Sequence, residues 1–75
     1  MRSGSWDREA AERRRSSRLA ERLGFVALVV RDAWRAPEVV AVLRDGREVV
    51  VRRSDHRSVD WRAVRRELRR VAPGR

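Results

Sequence analysis

Two valine-rich segments separated by Asp45-Gly46 constrain the fold of this chain more than any other feature. Residues 38–44 and 47–53 are both rich in β-branched side chains, and each is long enough to form one strand. Asp-Gly is a preferred dipeptide for a two-residue turn between antiparallel strands, because such turns need positive φ angles that glycine tolerates. The pattern therefore predicts a β-hairpin.

The length of the turn also sets the register of the hairpin and the composition of its two faces. If Arg44 lies opposite Arg47, the faces are Val40, Val42, Val49 and Val51 on one side and Val39, Ala41, Leu43 and Val50 on the other. Helices that cover the first face would leave the second as a half-apolar patch in water. Such a patch is typical of a dimer or partner interface, so we predict the second face as a candidate interface.

A helix is predicted over residues 6–23, which are rich in Ala, Glu, Arg and Leu. Ser5 is available as the N-cap, and Gly24 is a suitable C-terminal stop. The apolar side of this helix is narrow and consists of Ala10, Leu19, Ala20 and Leu23. We therefore expect the second half of the helix to dock and the first half to fray or project.

Residues 25–31 form the third strand-like segment, and a loop follows at residues 32–37. Pro37 disfavours helical geometry at the residue before it and marks the start of the next element. Trp34 in this loop can have one of two roles. Its ring can stack on a nucleic-acid base, or it can cover the edge of the core. We favour the core cover.

The last apolar pattern has helical spacing. Ser58 is a suitable N-cap, and Asp60 follows it in the first turn. The helix has an apolar side and a basic side. The apolar side consists of Trp61, Val64, Leu68 and Val71, with Ala72 beside them. The basic side consists of Arg62, Arg65, Arg66, Arg69 and Arg70. We therefore predict an amphipathic helix, with Trp61 in the core.

The order of predicted elements is helix, strand, strand, strand, helix. A three-stranded antiparallel sheet with both helices packed on one face buries these apolar surfaces most economically. We predict a single α+β (αβββα) domain at residues 6–72, a flexible N-terminus at 1–5 and a C-terminal tail at 73–75. The same element order is found in double-stranded-RNA-binding domains.

The basic side chains of the chain are almost all arginine. The chain has 20 arginines and no lysine, with a formal net charge of +9. Replacement of lysine by arginine is typical of a G+C-rich genome, so the functional information lies in the excess and the clustering of positive charge. Arginine contacts phosphates bidentately, which favours a nucleic-acid partner.

Composition excludes several classes of protein. The chain has no cysteine and one histidine, so neither a disulfide framework nor a structural zinc site is predicted. The longest apolar run, residues 25–30, is too short for a membrane span or a signal-peptide core. We expect a cytoplasmic protein that uses no cofactor and no metal and does not bind membranes.

His56 is the one side chain in the sequence with an acid–base character suited to neutral pH. It follows the third strand in the segment Arg52-Arg53-Ser54-Asp55-His56. A general acid or base is one interpretation, and a phosphate ligand or a cap for the last helix is another. A lone loop histidine among arginines favours the second interpretation.

Three segments resemble a known family. Residues 19–25 (Leu-Ala-Glu-Arg-Leu-Gly-Phe), residues 45–51 (Asp-Gly-Arg-Glu-Val-Val-Val) and the last helix are similar to HicA-type toxins, small mRNA interferases with a double-stranded-RNA-binding-like fold. His56 falls near a second histidine of that family. The family's Gly-Ser-His signature should open the second strand, but residues 32–37 read Asp-Ala-Trp-Arg-Ala-Pro. The resemblance therefore implies a binding descendant or an inactive relative.

We predict a nucleic-acid-binding protein without catalysis, with RNA slightly favoured over DNA. The candidate phosphate-binding residues are Arg62, Arg65, Arg66, Arg69 and Arg70, supported by Arg52 and Arg53. A first alternative is a dimerisation or protein-interaction module that uses the predicted face of Val39, Ala41, Leu43 and Val50. A second is a degenerate or active HicA-like mRNA interferase toxin, with His56 as the catalytic candidate.

Overall fold

The structure is a computed structural model that describes residues 4–73, with side chains from Asp7 onward. The elements are α1 (Gly4–Arg22), β1 (Ala27–Arg31), β2 (Glu38–Val42), β3 (Glu48–Arg53) and α2 (Trp61–Val71). The strands form one antiparallel sheet in the order β1-β2-β3, and α1 and α2 pack against it and against each other. The predicted αβββα fold is confirmed.

The two ends of the chain lie partly outside this description. The predicted flexible N-terminus and C-terminal tail include residues 1–3 and 74–75, which lie outside the described residues. Helix α1 begins at Gly4. Ser5 therefore lies within the helix, and its predicted role as the N-cap is wrong.

One apolar core lies between the sheet and the helices. Its buried members are Ala20, Phe25, Val39, Ala41, Val51, Trp61, Val64 and Leu68. The predicted core position of Trp61 is confirmed, since only 5% of its surface is exposed. Val71, which we placed on the apolar side of α2, is exposed at the end of the helix.

Gly24 ends α1 as predicted, through a C-terminal capping motif. Its φ is +106°, a left-handed conformation that glycine adopts without a Cβ clash. The Phe25 N–H donates to the Ala20 carbonyl at 2.9 Å, and the Gly24 N–H donates to the Glu21 carbonyl at 3.1 Å. These two bonds form a Schellman motif, which turns the chain toward β1 and buries Phe25.

The hairpin is confirmed, but its turn has three residues instead of two. The Gly46 N–H donates to the Leu43 carbonyl at 3.0 Å, and the Leu43 N–H donates to the Arg47 carbonyl at 2.8 Å. The loop is therefore residues 44–46, with Gly46 at a φ of +92°. Ala41 now pairs with Val49 and Val40 with Val50.

This change of one residue in the turn exchanges the faces of β3 relative to β2 as far as the β-bulge between Val39 and Val40, beyond which Val39 pairs with Arg52 as predicted. Val49 and Val51 join Val39, Ala41 and Leu43 on the side that the helices cover, whereas Val50 lies opposite. The helix-covered side is the more apolar one, because charged residues occupy both ends of the other side. The predicted exposed face is therefore wrong: Val39 and Ala41 are fully buried, Leu43 packs against the core, and only Val50 is exposed.

Polar contacts join the first half of α1 to α2. The Trp61 Nε1 donates to the Glu9 carboxylate at 2.9 Å, and the Arg65 Nη1 lies 2.7 Å from the Glu12 Oε1. Glu9 contacts Trp61, and the later residue Glu12 contacts the later residue Arg65. The two helices therefore run in roughly the same direction. The first half of α1 therefore contacts α2 through Glu9 and Glu12, side chains that the apolar pattern does not count, although residues 7–10 are exposed.

The loops that flank the hairpin meet at one end of the sheet. The Ser54 N–H, just after β3, donates to the carbonyl of the buried Pro37 at 3.0 Å. Helix α2 begins at the same end, with Asp60 as its N-cap: the Asp60 carboxylate accepts from the Ala63 N–H at 3.1 Å. Asp60 therefore replaces Ser58, the N-cap we predicted.

Candidate nucleic-acid interface

Helix α2 presents four arginines to solvent on one side, which we call the arginine stripe: Arg62, Arg66, Arg69 and Arg70. At 3.6 residues per turn these positions lie within an arc of about 100°. Every exposed residue of α2 before Val71 belongs to this stripe. With five arginines and one glutamate, α2 contributes +4 of the formal charge of +9.

Three members of the stripe form no ion pair with the described side chains. Among the described side chains, Arg62, Arg66 and Arg69 have no ion-pair partner. Arg70 lies 3.6 Å from the Glu67 carboxylate, one turn back on the same helix. Exposed pairs of this kind are weak and exchange readily with other anions, so Arg70 also remains open to a ligand.

Arg65 differs from the other arginines of the helix. Only 15% of its side chain is exposed, and it points toward α1. Its Nη1 lies 2.7 Å from the Glu12 Oε1 and donates to the Ser16 Oγ at 3.2 Å. The fully buried Ser16 in turn donates to the Glu12 carbonyl at 2.9 Å. Arg65 therefore joins α2 to α1, and we remove it from the predicted set of phosphate-binding residues.

Glu12 lies at the centre of a basic neighbourhood. Its hydrogen bond from Arg65, together with the positive charges of Arg65, Arg15 and Arg62, holds the pKa of this carboxyl below its usual value of 4.5. Arg15 lies 3.7 Å from Glu12 on α1, and Arg62 lines the groove between the two helices with Arg8. The basic surface thus extends from the stripe toward α1.

Arg52 and Arg53, the predicted supporting residues, lie in different environments at the end of β3. The Arg53 Nε lies 2.6 Å from the Glu38 carboxylate, and three-quarters of its side chain is exposed. Arg52 is half-buried, and its Nε is buried with no hydrogen-bond partner among the described residues. Neither side chain belongs to the stripe on α2, although both line the pocket beside the loop that precedes α2.

The sheet side opposite the helices, which we call the open face, is partly apolar and electrically balanced. Val29 and Val50 are 39% and 46% exposed there, whereas Val40 between them is fully buried. Arg31 forms ion pairs with Glu48 and Glu38, and Glu38 also pairs with Arg53. Arg31 lies opposite Glu38 at one end of the face, and Glu48 lies opposite Val42 at the other. The Arg31–Glu48 ion pair therefore crosses the face diagonally, over the row formed by Val29, Val40 and Val50.

His56 is exposed and has only local contacts. Its Nδ1 accepts from the Ser58 N–H at 3.3 Å, and its Nε2 lies 3.7 Å from the exposed Asp55 carboxylate. It does not cap α2, because Asp60 does. A general acid or base needs an orienting partner, and the 3.7 Å between His56 and Asp55 is too long for a hydrogen bond.

Trp34 does not cover the core. Its side chain is 73% exposed, so the predicted core cover is wrong. The residues of the loop turn outward before Pro37, which is the buried anchor of this segment. The Arg35 guanidinium carbon lies 5.8 Å from the centre of the Trp34 ring, within the range of a cation–π contact.

Within residues 7–73, no group of three His, Asp or Glu side chains is placed to hold a metal ion. No helix in the described part of the chain is long and apolar enough to cross a bilayer. The fold and this surface define a small α+β domain with one strongly basic helix. The chain matches no protein-family model, no curated protein and no solved structure. The similarity to HicA-type toxins therefore stays a prediction.

Proposed function

We propose that this chain binds nucleic acid through phosphate contacts from the arginine stripe, with RNA favoured over DNA. The observation that supports this most strongly is that every exposed residue of α2 before Val71 is an arginine. A surface that only needs solubility mixes charges of both signs, because like charges on neighbouring turns repel. A polyanion removes this repulsion and releases its own counterions on binding.

The dimensions of the stripe suit a nucleic-acid backbone. Arg62 and Arg70 are eight residues apart, which corresponds to about 12 Å along the helix axis. Phosphates of one strand follow each other every ~3.4 Å along a duplex axis, so several of them lie within this length. The planar guanidinium donates two parallel hydrogen bonds to one phosphate, which makes arginine a better ligand here than a point charge.

The preference for RNA rests on the order of the elements. A helix, three antiparallel strands and a second helix resemble double-stranded-RNA-binding domains, which recognise duplex shape and phosphates more than base sequence. The parallel arrangement of α1 and α2 places Arg8 and Arg15 beside the stripe, so both helices contribute to one basic surface.

Removal of charge from the stripe tests the proposal. The triple variant Arg62→Gln/Arg66→Gln/Arg69→Gln keeps good helix formers in α2 and removes no ion pair between described side chains. We expect its affinity for an RNA hairpin, measured by fluorescence anisotropy at low salt, to fall at least about tenfold. The physical reason is the loss of about three phosphate contacts and the counterions they release.

A matched control separates the position of the charge from its amount. Arg13→Gln/Arg14→Gln/Arg18→Gln removes the same charge from exposed positions of α1 that also have no ion-pair partner among the described side chains. We expect this control to retain most of the affinity. Equal losses in the two variants would mean that binding follows net charge alone, and an unchanged stripe variant would reject the proposal.

A second candidate function is self-association through the open face. The specific observation is the exposure of Val29 and Val50 on a surface whose arginines and glutamates neutralise one another. Such a face does not attract a polyanion. It can pair with the same face of a second copy related by two-fold symmetry, so that valines meet valines and arginines meet glutamates. If this candidate is right, the stripe variant leaves function unchanged.

A further inference from the structure

Trp34 is the most exposed large apolar side chain that the structure describes, at 73%. Tryptophan carries more apolar surface than any other side chain, and leaving it in water forgoes the free energy that its burial would release. The core does not use this residue, and neither does the arginine stripe. An exposed aromatic ring of this size is typical of a contact with a ligand.

The loop that holds Trp34 is anchored at both ends. The Arg35 N–H donates to the Asp32 carbonyl at 3.0 Å, which closes a tight turn around the tryptophan. Asp32 has a φ of +51°, a left-handed conformation that aspartate tolerates better than most residues. The buried Pro37 fixes the far end of the loop and accepts a hydrogen bond from Ser54. Trp34 is therefore presented by a defined turn, which lowers the entropy cost of binding.

One arginine lies beside the exposed ring. The Arg35 guanidinium lies 5.8 Å from the ring centre. Arg57 is exposed in the loop that follows β3, whereas Arg53 at the end of that strand is paired with Glu38. The same end of the molecule carries the start of α2 and hence Arg62, the first member of the stripe. An aromatic ring next to arginines is the combination that proteins use to hold a base and its phosphate together.

We propose that Trp34 stacks on an unpaired base, so that a single-stranded loop or end in the nucleic acid adds affinity to the phosphate contacts of the stripe. This inference rests on the proposed function, because the stripe supplies the phosphate contacts that bring the strand to the loop. Bases in a continuous duplex are already stacked and do not expose a face to a protein ring. A protein partner that buries Trp34 is the competing explanation, and the experiment below rejects one of the two.

The experiment compares Trp34→Ala with the parent protein on two labelled RNAs, a single strand of about 12 nucleotides and the duplex of the same sequence. We expect Trp34→Ala to bind the single strand about tenfold more weakly, which is the loss of one stacked base, and to bind the duplex as the parent does. Trp34→Phe keeps an aromatic face and should retain most of the single-strand affinity.

Val26→Ala is the matched control, because it truncates another exposed apolar side chain, half of which is in water, outside the loop and the stripe. It should change neither affinity. Circular dichroism checks that all variants fold, which we expect since Trp34 lies outside the core.

The outcomes separate this inference from the proposed function. If the parent binds neither RNA at low salt, the proposed function fails and the role of Trp34 fails with it. If the parent binds both RNAs and Trp34→Ala changes neither, or weakens both equally, the stacking proposal is overturned while the stripe remains supported. A loss confined to the single strand supports stacking and counts against the protein-partner explanation.

Discussion

Glu12 is the residue whose role changes most between the sequence and the folded chain. In the sequence it is one of several glutamates near an arginine cluster, typical of a solvated helix face. In the structure it accepts from Arg65 on the other helix, beside the buried Ser16. Which arginine meets a glutamate of α1 depends on how the two helices are placed together, and no local pattern encodes that placement.

The lowered pKa of Glu12 makes a prediction about acid stability. A carboxyl with a folded-state pKa below 4.5 stabilises the folded protein fully above pH 4.5 and loses this contribution as the pH falls through the folded-state pKa. Glu12→Gln should therefore be less stable than the parent at neutral pH, and the gap should narrow below pH 4.5 as Glu12 becomes neutral. Urea unfolding at a series of pH values measures it.

Glu21→Gln is the control, since Glu21 is exposed on the same helix and its side chain has no ion pair among the described residues. It should destabilise the protein less than Glu12→Gln at neutral pH, because it breaks no ion pair between described side chains. A constant gap between Glu12→Gln and the parent from neutral pH down to about pH 3 would contradict the assigned role.

At the scale of elements, the sequence predicts every helix and strand because each has a strong local pattern. The Asp45-Gly46 hairpin, the apolar spacing of α2 and the stop at Gly24 are all signals within a few residues. The error lies in the length of the turn, where Asp-Gly fits both a two-residue and a three-residue loop. That single residue decides which side of β3 faces the helices, so the predicted interface of Val39, Ala41 and Leu43 is in fact core.

The capping role of Gly24 gives a prediction for α1. Gly24→Ala should lower the free energy of unfolding by about 1–2 kcal/mol, because alanine is strained in the left-handed region. The new Cβ would also lie 3.2 Å from the Pro73 Cγ. Denaturant unfolding measures the loss.

Gly46→Ala serves as the comparison, because Gly46 has a similar positive φ and its Cβ would meet open space. We expect Gly24→Ala to be the more destabilising of the two. If Gly24→Ala were as stable as the parent while Gly46→Ala lost stability, the Schellman motif at the end of α1 would not have the role assigned to it.

At the scale of the whole molecule, positive charge is distributed unevenly. Helix α2 carries +4, whereas the segment of residues 23–60, with seven arginines and six acidic side chains, carries +1. The sequence predicts the stripe from helical spacing alone, except for Arg65, whose position at the edge of the arc turns it toward α1. It does not predict the exposure of Trp34, because a tryptophan in a loop is covered or uncovered by elements distant in the sequence.

The salt dependence of RNA binding tests the central claim most directly. Three to four phosphate contacts from the stripe should make the affinity of the parent fall by roughly 40- to 150-fold between about 50 and 200 mM monovalent salt. The stripe variant should lose most of this slope, and light scattering on the same samples reports whether one or two copies bind. A parent affinity that does not change across this range would contradict phosphate contact by the stripe.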